Sequence, residues 1–407
     1  MSLGQVLMML SGLLLVSLLL QPLAERIRLP LAAVLVLVGF VGSELITRNG
    51  LDTGLDYRLF HELIIYAFLP LLVFSAAFRI DAGLLRQNLW VILLLAIPVL
   101  LITVGLVAVL VFYGIGQPEG FPWVAAWLTG AVLAATDASP ISSRFAAMAL
   151  PKRLRVLLEG EDLFNDATAI VVFGIALYMA THPQEPIEAS DVVVRFLVVF
   201  FGGGLIGLLI GLGSLFLSRL FEDHIHQGVV TLVAAYSAFL LAHDVLHVSG
   251  IMAVLVTALV MGRVIHNDFQ DQRGSFIDEF WSFVAFIAEA LMFLLVGFTL
   301  TLSMFEERWL AMLIGIGSVL VGRVAALYVA HLMTRGVFPE KNLDTQFREV
   351  MFLGSLRGAV VVALALSLPT TLPWWWTVQS IAFGVVVFSL FVQAPLALHR
   401  LERRRRQ

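Results

Sequence analysis

Long apolar blocks separated by short polar stretches run along the whole chain, and each block contains few charged side chains or none. A helix needs about 20 mainly apolar residues to cross the hydrocarbon core of a bilayer, so blocks of this length predict membrane-spanning helices. About thirteen spans are predicted, at residues 5–24, 30–47, 59–79, 87–113, 122–148, 156–180, 191–218, 228–246, 249–265, 278–300, 309–334, 347–368 and 375–399. The predicted fold class is an all-α membrane protein.

The composition agrees with a membrane location. Of the 407 residues, 60% are hydrophobic and 13% are charged, whereas soluble domains carry about 25% charged residues. Cysteine is absent, which excludes a disulfide framework, a thiol nucleophile and a cysteine metal site. The first apolar block lacks a basic region before it and a small-residue cleavage site after it, so we interpret it as a mature helix and not as a signal peptide.

The basic residues favour one side of the predicted membrane. Thirteen spans place the termini on opposite sides, and cytoplasmic loops are enriched in Arg and Lys. If the basic run at residues 403–406 is cytoplasmic, so are Arg26, Arg28, Arg79, Arg86, Arg144, Lys152, Arg153, Arg155, Arg219, Arg263, Arg273, Arg335, Lys341 and Arg348, and the outer loops keep Arg48, Arg58 and Arg308. We therefore expect a bacterial inner (plasma) membrane protein with a cytoplasmic C-terminus.

Two predicted spans are interrupted by polar and helix-breaking residues. The fifth contains Thr136, Asp137 and Pro140, and the twelfth contains the stretch Gly354–Gly358, with an arginine between two glycines. These spans correspond to each other if spans 1–6 and 8–13 form an inverted repeat with span 7 as the connector. Paired broken helices indicate an ion site near the membrane midplane, so we expect the two broken helices to cross there.

The sixth span opens with four carboxylates inside an apolar helix. Helical geometry places Asp162 and Asp166 on one face with Glu159 one turn earlier, while Glu161 and Asn165 share the neighbouring face. A charge at a helix centre costs on the order of 3 kcal/mol in membrane insertion. Because desolvation disfavours a bare carboxylate, a proton and a metal cation can compete for it. The cluster predicts a cation and proton site centred on Asn165 and Asp166.

Further groups near this site are predicted from their chemistry. Sodium prefers hard oxygen ligands, and Thr136 and Asp137 supply a hydroxyl and a carboxylate on the broken fifth span. Arg323 and Arg357 lie deep inside predicted spans and each needs an anion, for which Glu161 is the natural partner. We therefore expect a structural ion pair that involves Glu161 and these arginines.

At these residues the chain resembles the monovalent cation:proton antiporter superfamily, in the sodium/proton exchanger branch that includes the NhaP-like bacterial proteins. The matching stretches span nearly the whole chain: Leu69–Phe74, Thr136-Asp137, Glu159–Asp166, Val248–Gly250, Phe293–Gly297 and Leu356–Ala359. The resemblance implies that Asp166 carries the cation and the proton and that Thr136 and Asp137 line the site. An Asn-Asp pair, here Asn165-Asp166, implies electroneutral 1:1 exchange, and a pair of Glu161 with Arg323 or Arg357 would hold the core together.

The resemblance also implies two moving parts. It places scaffold and dimerisation helices at residues 1–80 and 226–304, core transport helices at 81–180 and 305–400, a connecting helix at 181–225 and a basic cytoplasmic tail at 401–407. The core would move against the scaffold by alternating access, and the scaffold would form a homodimer. No cofactor is expected; the partners are the bilayer, protons and Na⁺, or Li⁺ or K⁺, with no nucleic acid.

Two positions depart from the pattern of relatives. Ser75 stands where relatives often carry glutamate, and Asp162 stands where they carry serine, as if a carboxylate had moved from the third helix to the sixth. Since Asp162 could titrate together with Asp166, the stoichiometry and the ligand set stay open. The predicted ion-binding set is Asp166, Asp162, Asn165, Thr136, Asp137 and Ser75. Glu289 is a further intramembrane acid, for which a transport role and simple pairing are both open.

Three alternatives accompany the sodium/proton prediction. Potassium in place of sodium is the nearest, because cavity size and ligand number cannot be read from spacing. A cation channel is the second, although no stretch resembles a filter of stacked carbonyls. An intramembrane metalloprotease is the third, because His243 and His247 have the spacing of a metal-binding helix; Asp244 there replaces the catalytic glutamate. No enzymatic activity is expected.

Overall fold

The computed structural model describes residues 3–27, 29–48, 57–116, 121–138, 151–184, 188–221, 223–268, 272–337 and 345–405. Regular structure within these ranges is entirely helical. We number the helices α1 (Leu3–Ile27), α2 (Leu31–Arg48), α3 (Phe60–Arg79), α4 (Ala82–Ile115), α5 (Trp123–Ala134), α6 (Lys152–Thr181), α7 (Ala189–Ser218), α8 (His224–Val245), α9 (Gly250–Asp268), α10 (Gln272–Thr299), α11 (Leu302–Val337), α12 (Thr345–Gly354), α13 (Ala359–Leu366) and α14 (Trp375–Arg400).

These helices lie at the predicted positions. Nine helices in the described ranges are long and apolar enough to cross a membrane, and α12 with α13 forms a broken span bent by 45°. The helices α2, α5 and α9 are shorter and apolar. The all-helical membrane fold is therefore confirmed, while thirteen crossings stay a prediction that these segments fit.

Some residues of the sequence argument lie outside the described residues. They are Pro140 of the broken fifth span and the basic residues Arg28, Arg144, Lys341 and Arg406, together with Gln407; the side chains of Arg58, Arg273 and Arg403 to Arg405 also lie outside the description.

Helix packing follows the order expected of two repeated halves. The helix α2 packs on α10, and its counterpart α9 packs on α3. In the same way α4 packs on α6, and its counterpart α11 packs on α14, while the counterparts α4 and α11 pack on each other. If all thirteen predicted spans cross the membrane, corresponding spans are seven apart, an odd number, and the two halves run in opposite directions.

Glycines allow the closest of these helix crossings. A Cβ added to Gly297 on α10 would lie 2.9 Å from the Cα of Gly39 on α2, and a Cβ on Gly39 would lie 3.0 Å from the Cα of Gly297. At the corresponding crossing, a Cβ on Gly262 of α9 would lie 3.2 Å from the Cα of Phe78 on α3. Small residues let membrane helices approach until their backbones touch, so both crossings depend on glycine.

Four helices contain a π-helical turn, at Leu63–Phe68 in α3, Leu95–Val99 in α4, Leu241–Val245 in α8 and Ser389–Gln393 in α14. In three of them a proline lies within or two residues after the turn: Pro70, Pro98 and Pro395. Proline lacks an N–H and clashes with the carbonyl four residues earlier. A wider turn at that point relieves the clash and keeps the helix continuous.

Candidate ion-binding site

Two interrupted helices cross in the interior of the molecule. Helix α5 ends at Ala134 and continues as non-helical backbone through Ala138, while α12 and α13 are separated by the non-helical residues 355–358. The backbone N–H of Asp137 donates to the carbonyl of Leu356 at 2.9 Å. This contact joins the two unwound segments, which the sequence predicted to be broken by glycine, proline and polar residues.

Arg357 binds the carbonyl ends of both broken helices. Its Nε donates to the carbonyl of Leu133 at 2.7 Å, and its Nη1 donates to the carbonyl of Ser355 at 2.9 Å. The side chain is 1% exposed. The last carbonyls of a helix carry partial negative charge and lack partners within the helix, so one buried guanidinium compensates the carboxyl ends of α5 and α12 together.

Two carboxylates also contact the unwound segments of the crossing. The Asp162 carboxylate accepts the backbone N–H of Ala138 at 3.2 and 3.3 Å. The carboxylate of Asp137 fills the place that a Cβ of Gly358 would take, just before the start of α13. Negative charge is favourable at a helix amino terminus. Asp137 is therefore placed to compensate α13, and only glycine fits at position 358.

Asn165 and Asp166 bring two oxygens without protein partners to this crossing. The Asn165 Nδ2 donates to the carbonyl of Ala134 at 3.1 Å and to the Thr136 hydroxyl at 2.9 Å, which directs its Oδ1 away from them. Asn165 Oδ1 and Asp166 Oδ1 are buried and accept no hydrogen bond from the protein. A buried acceptor without a partner is costly, and amide and carboxylate oxygens are ligands that a small hard cation prefers.

Several charged side chains surround the carboxylate of Asp166. Asp162, Asp137 and Arg357 all lie close enough to interact with its carboxylate. Asp166 is 8% exposed, and Asp162 and Asp137 are half-buried. Three carboxylates against one guanidinium leave an excess of negative charge, which a metal cation or a proton would offset.

Glu161 forms its ion pair with Arg323, one of the two arginines predicted as partners. Arg323 Nη1 and Nη2 lie 2.5 and 2.9 Å from the two carboxylate oxygens, a bidentate geometry, and Nη2 also donates to the carbonyl of Met351 at 3.3 Å. Both side chains are buried, at 6% and 4% exposed. The pair joins α6, α11 and α12. Arg357 instead binds backbone carbonyls.

Ser75 and Glu289 lie on helices outside the crossing. The Ser75 hydroxyl is buried and donates to the carbonyl of Trp281 on α10 at 3.0 Å, so its one proton is engaged there. Glu289, half-buried on α10, lies within electrostatic range of Asp137 and of Arg79. A role of Ser75 in ion binding stays a prediction, and for Glu289 a transport role and simple pairing both stay open.

Glutamines that the sequence argument did not single out also support the broken helices. Gln393 in the π-helical turn of α14 donates to the carbonyls of Phe352 and Ser355, both at 3.2 Å. Gln379 donates to the carbonyl of Ala365 at the end of α13 at 3.1 Å. Buried amides in an apolar span are the signal that could have found them, because each needs polar partners.

The residues behind the metalloprotease alternative have other contacts. His243 stacks on Phe239 with ring centroids 5.2 Å apart, and Asp244 accepts a hydrogen bond from the Tyr66 hydroxyl at 3.1 Å. His247 follows the π-helical turn with a φ of 52°. Among the residues described, no group of three or more metal-ligating side chains is present. The motif therefore does not present its two histidines from one regular helix.

Comparisons with known proteins agree with this architecture. A family model described as "Sodium/hydrogen exchanger, transmembrane" matches residues 12–399. The low-affinity Na⁺/H⁺ antiporter NhaS1 of Synechocystis is 33% identical over 379 residues, covering 90% of this chain and 68% of that protein. The Na⁺/H⁺ antiporter NhaP of Pseudomonas aeruginosa is 32% identical over 353 residues, covering 85% and 81%.

A solved structure shows the same fold. The sodium proton antiporter MjNhaP1 of Methanocaldococcus jannaschii superposes with a TM-score of 0.79 at 20% identity, over 97% of this chain and 100% of that one. The family model matches nearly the full length of the chain, and the fold of this solved structure agrees with that match. The chain therefore belongs to the sodium/hydrogen exchanger family.

Proposed function

We propose that the protein is a secondary active antiporter that exchanges one Na⁺ for one H⁺, with Asp166 binding either ion in competition. The observation that carries the proposal is the pair of buried, unpartnered oxygens, Asn165 Oδ1 and Asp166 Oδ1, at the crossing of the two broken helices. Relatives that share about a third of the sequence are named Na⁺/H⁺ antiporters.

Competition at one carboxylate enforces the exchange. A cation held by Asp166 and Asn165 neutralises the carboxylate, and so does a proton on Asp166. A bare carboxylate in the same place would be an uncompensated buried charge, which costs several kcal/mol. The site therefore changes from one side of the membrane to the other only when Asp166 holds a cation or a proton. A site that has carried one ion across must bind the other ion before it returns.

The partners of Asp162 support a stoichiometry of one to one. Its carboxylate already accepts the backbone N–H of Ala138, which anchors the unwound end of the fifth span to α6. Asp166 Oδ1 has no such partner. We infer that Asp162 serves as an anchor whose protonation does not change through the cycle, and that Asp166 alone exchanges its ion.

The hydrogen bonds and the ion pair around the crossing join helices of the predicted core, which favours a core that moves as one unit. Arg357 joins the ends of α5 and α12, the Glu161–Arg323 pair joins α6 to α11 and α12, and Gln393 joins α14 to α12. The residues that make these contacts all fall in residues 81–180 and 305–400. We propose that they move as one unit against residues 1–80 and 226–304, which form the scaffold of a homodimer, with residues 401–407 in the cytoplasm.

Sodium-driven proton movement in proteoliposomes tests the function. The purified protein should acidify or alkalinise the lumen according to the direction of an imposed Na⁺ gradient, and Asp166→Asn should reduce that signal to background. Asp191→Asn, an exposed acid at the start of α7, is the matched control and should transport normally. Parallel Li⁺ and K⁺ gradients establish selectivity. Full activity of a folded Asp166→Asn protein would contradict the proposal.

A further inference from the structure

A positively charged pocket lies away from the crossing, where α3 ends, α4 begins and α9 ends. It has a volume of about 930 Å³, and its lining includes Arg79, Arg86, Arg263 and His266. In the predicted topology this end of α3 is on the cytoplasmic side. The volume is near the upper end of the range of small-molecule sites, about 300–1,000 Å³, so it admits a phosphate group together with the atoms attached to it.

Two arginines of the pocket are free to bind a ligand. Arg86 and Arg263 are exposed, and neither forms an ion pair within 4 Å with an acid in the described residues. Arg79 donates to the carbonyl of Ser75 at 3.1 Å and to the Ser282 hydroxyl at 3.2 Å, both neutral acceptors, while Glu159 and Glu289 lie within electrostatic range of its charge.

One acid, Asp81, lines the pocket, against three arginines. Asp81 accepts the backbone N–H of Leu84 at 2.9 Å and caps the start of α4. Asp278 lies 3.1 Å from His266 Nε2. The lining therefore has an excess of positive charge, which would repel Na⁺ and attract an anion. This sign makes the pocket unsuited to be a path for the transported cation.

An exposed tryptophan of the pocket indicates the level of the lipid headgroups. Trp90 lines the pocket with 68% of its surface exposed, and tryptophan is enriched at membrane interfaces. Arginine forks match the geometry of phosphate oxygens. Basic pockets between membrane helices on the cytoplasmic side bind phosphorylated headgroups.

We propose that this pocket binds a phosphate-bearing anion, with an acidic phospholipid headgroup or soluble phosphate as its source. The site is separate from the Asp166 crossing and goes beyond the exchange activity. It lies where residues 1–80 meet residues 81–180, the proposed boundary between scaffold and core. A ligand that contacts Arg79 and Arg263 on one side and Arg86 on the other holds these two parts together, so its occupancy would bias their relative position.

Thermal unfolding of the purified full-length protein tests the binding without any transport measurement. Phosphatidylglycerol added to the detergent should raise the unfolding temperature by a few degrees, more than phosphatidylcholine, which carries no net charge. The pocket variant Arg86→Gln/Arg263→Gln should lose this difference. The matched control Arg219→Gln/Arg335→Gln removes two exposed arginines on the predicted cytoplasmic side, outside the pocket, and should keep it. Raising the salt concentration should shrink the shift.

The same unfolding measurement with inorganic phosphate shows whether the bound anion is a lipid headgroup or soluble phosphate. A shift with phosphatidylglycerol but not with millimolar phosphate, lost in the pocket variant, supports the lipid. A phosphate shift that is lost in the same variant supports a soluble ligand. The proposal is overturned if the pocket variant keeps the full shift of the wild type, or if neither probe shifts the wild type. Neither result bears on exchange at Asp166.

Discussion

Asp162 and Asp166 lie one turn apart on α6 and yet have different surroundings. Asp162 accepts a backbone N–H from Ala138, whereas Asp166 Oδ1 has no protein donor. The difference follows from the crossing, because the unwound end of the fifth span passes beside Asp162. Two acids that look equivalent on a helical wheel are therefore distinguished by a backbone that only the fold brings to them.

Replacement of Asp162 tests whether this residue anchors the unwound segment at Ala138 or carries a transported ion. Asp162→Asn keeps an acceptor for the Ala138 N–H, so exchange should persist, with an apparent Na⁺ affinity changed by less than about tenfold, or about 1.4 kcal/mol. Asp162→Ala leaves that N–H without its partner and should lower the free energy of unfolding by about 1–3 kcal/mol. Initial rates against Na⁺ concentration and denaturant unfolding measure the two effects. If Asp162→Asn is as inactive as Asp166→Asn, both acids carry ions.

The buried Glu161–Arg323 pair should contribute to the free energy of unfolding. Glu161→Gln leaves a buried guanidinium without its anion and should lower the free energy of unfolding by about 3–5 kcal/mol. The double change Glu161→Leu/Arg323→Met removes both charges and should recover a large part of that loss. Arg48→Gln, from a pair 3.9 Å apart whose arginine is 70% exposed, should cost at most about 1 kcal/mol. If the loss of stability in the double change equals the sum of the losses from changing Glu161 and Arg323 singly, the two side chains do not pair directly.

At the scale of elements, the broken helices depend on a glycine. A Cβ at position 358 would overlap the Asp137 carboxylate, so Gly358→Ala should push Asp137 from the start of α13 and reduce exchange by at least about tenfold, a barrier change of about 1.4 kcal/mol. Gly174→Ala on α6 is the matched control, since its Cβ would meet no atom within 4 Å. It should transport normally and be slightly more stable. Proteoliposome rates normalised to inserted protein decide the comparison; equal rates would refute the steric argument.

The elements differ in how far sequence could predict them. Apolar length located the helices, and Gly354, Gly358 and Asp137 marked where they break, because local chemistry determines both. The choice of Arg323 over Arg357 for Glu161 could not be predicted, since it depends on how α11 and α12 pack against α6. The π-helical turns were also missed, although a proline within an apolar span, such as Pro98, is a usable signal for them.

For the whole molecule, the proposed stoichiometry becomes a statement about net charge. If Asp166 exchanges one Na⁺ for one H⁺ while the protonation of Asp162 does not change, no net charge crosses the membrane in a full cycle. The fold makes this possible with fixed groups at the crossing: Arg357 on the carbonyl ends of α5 and α12, Asp137 beside the start of α13, and Asp162 on the N–H of Ala138. Those charges stay constant, so only the ion on Asp166 changes between the two crossings.

Membrane voltage therefore separates this mechanism from its alternatives. With proteoliposomes clamped at 0 and −100 mV, the Na⁺ gradient at which exchange stops should be the same for one-to-one exchange. If a second proton moved per Na⁺, one net charge would cross, worth about 2.3 kcal/mol per 100 mV, and the balancing gradient would shift about fiftyfold. A channel would pass current down the voltage with no proton gradient at all. A voltage-dependent balance point that becomes voltage-independent in Asp162→Asn would identify Asp162 as the second proton carrier and reject the anchoring role argued above.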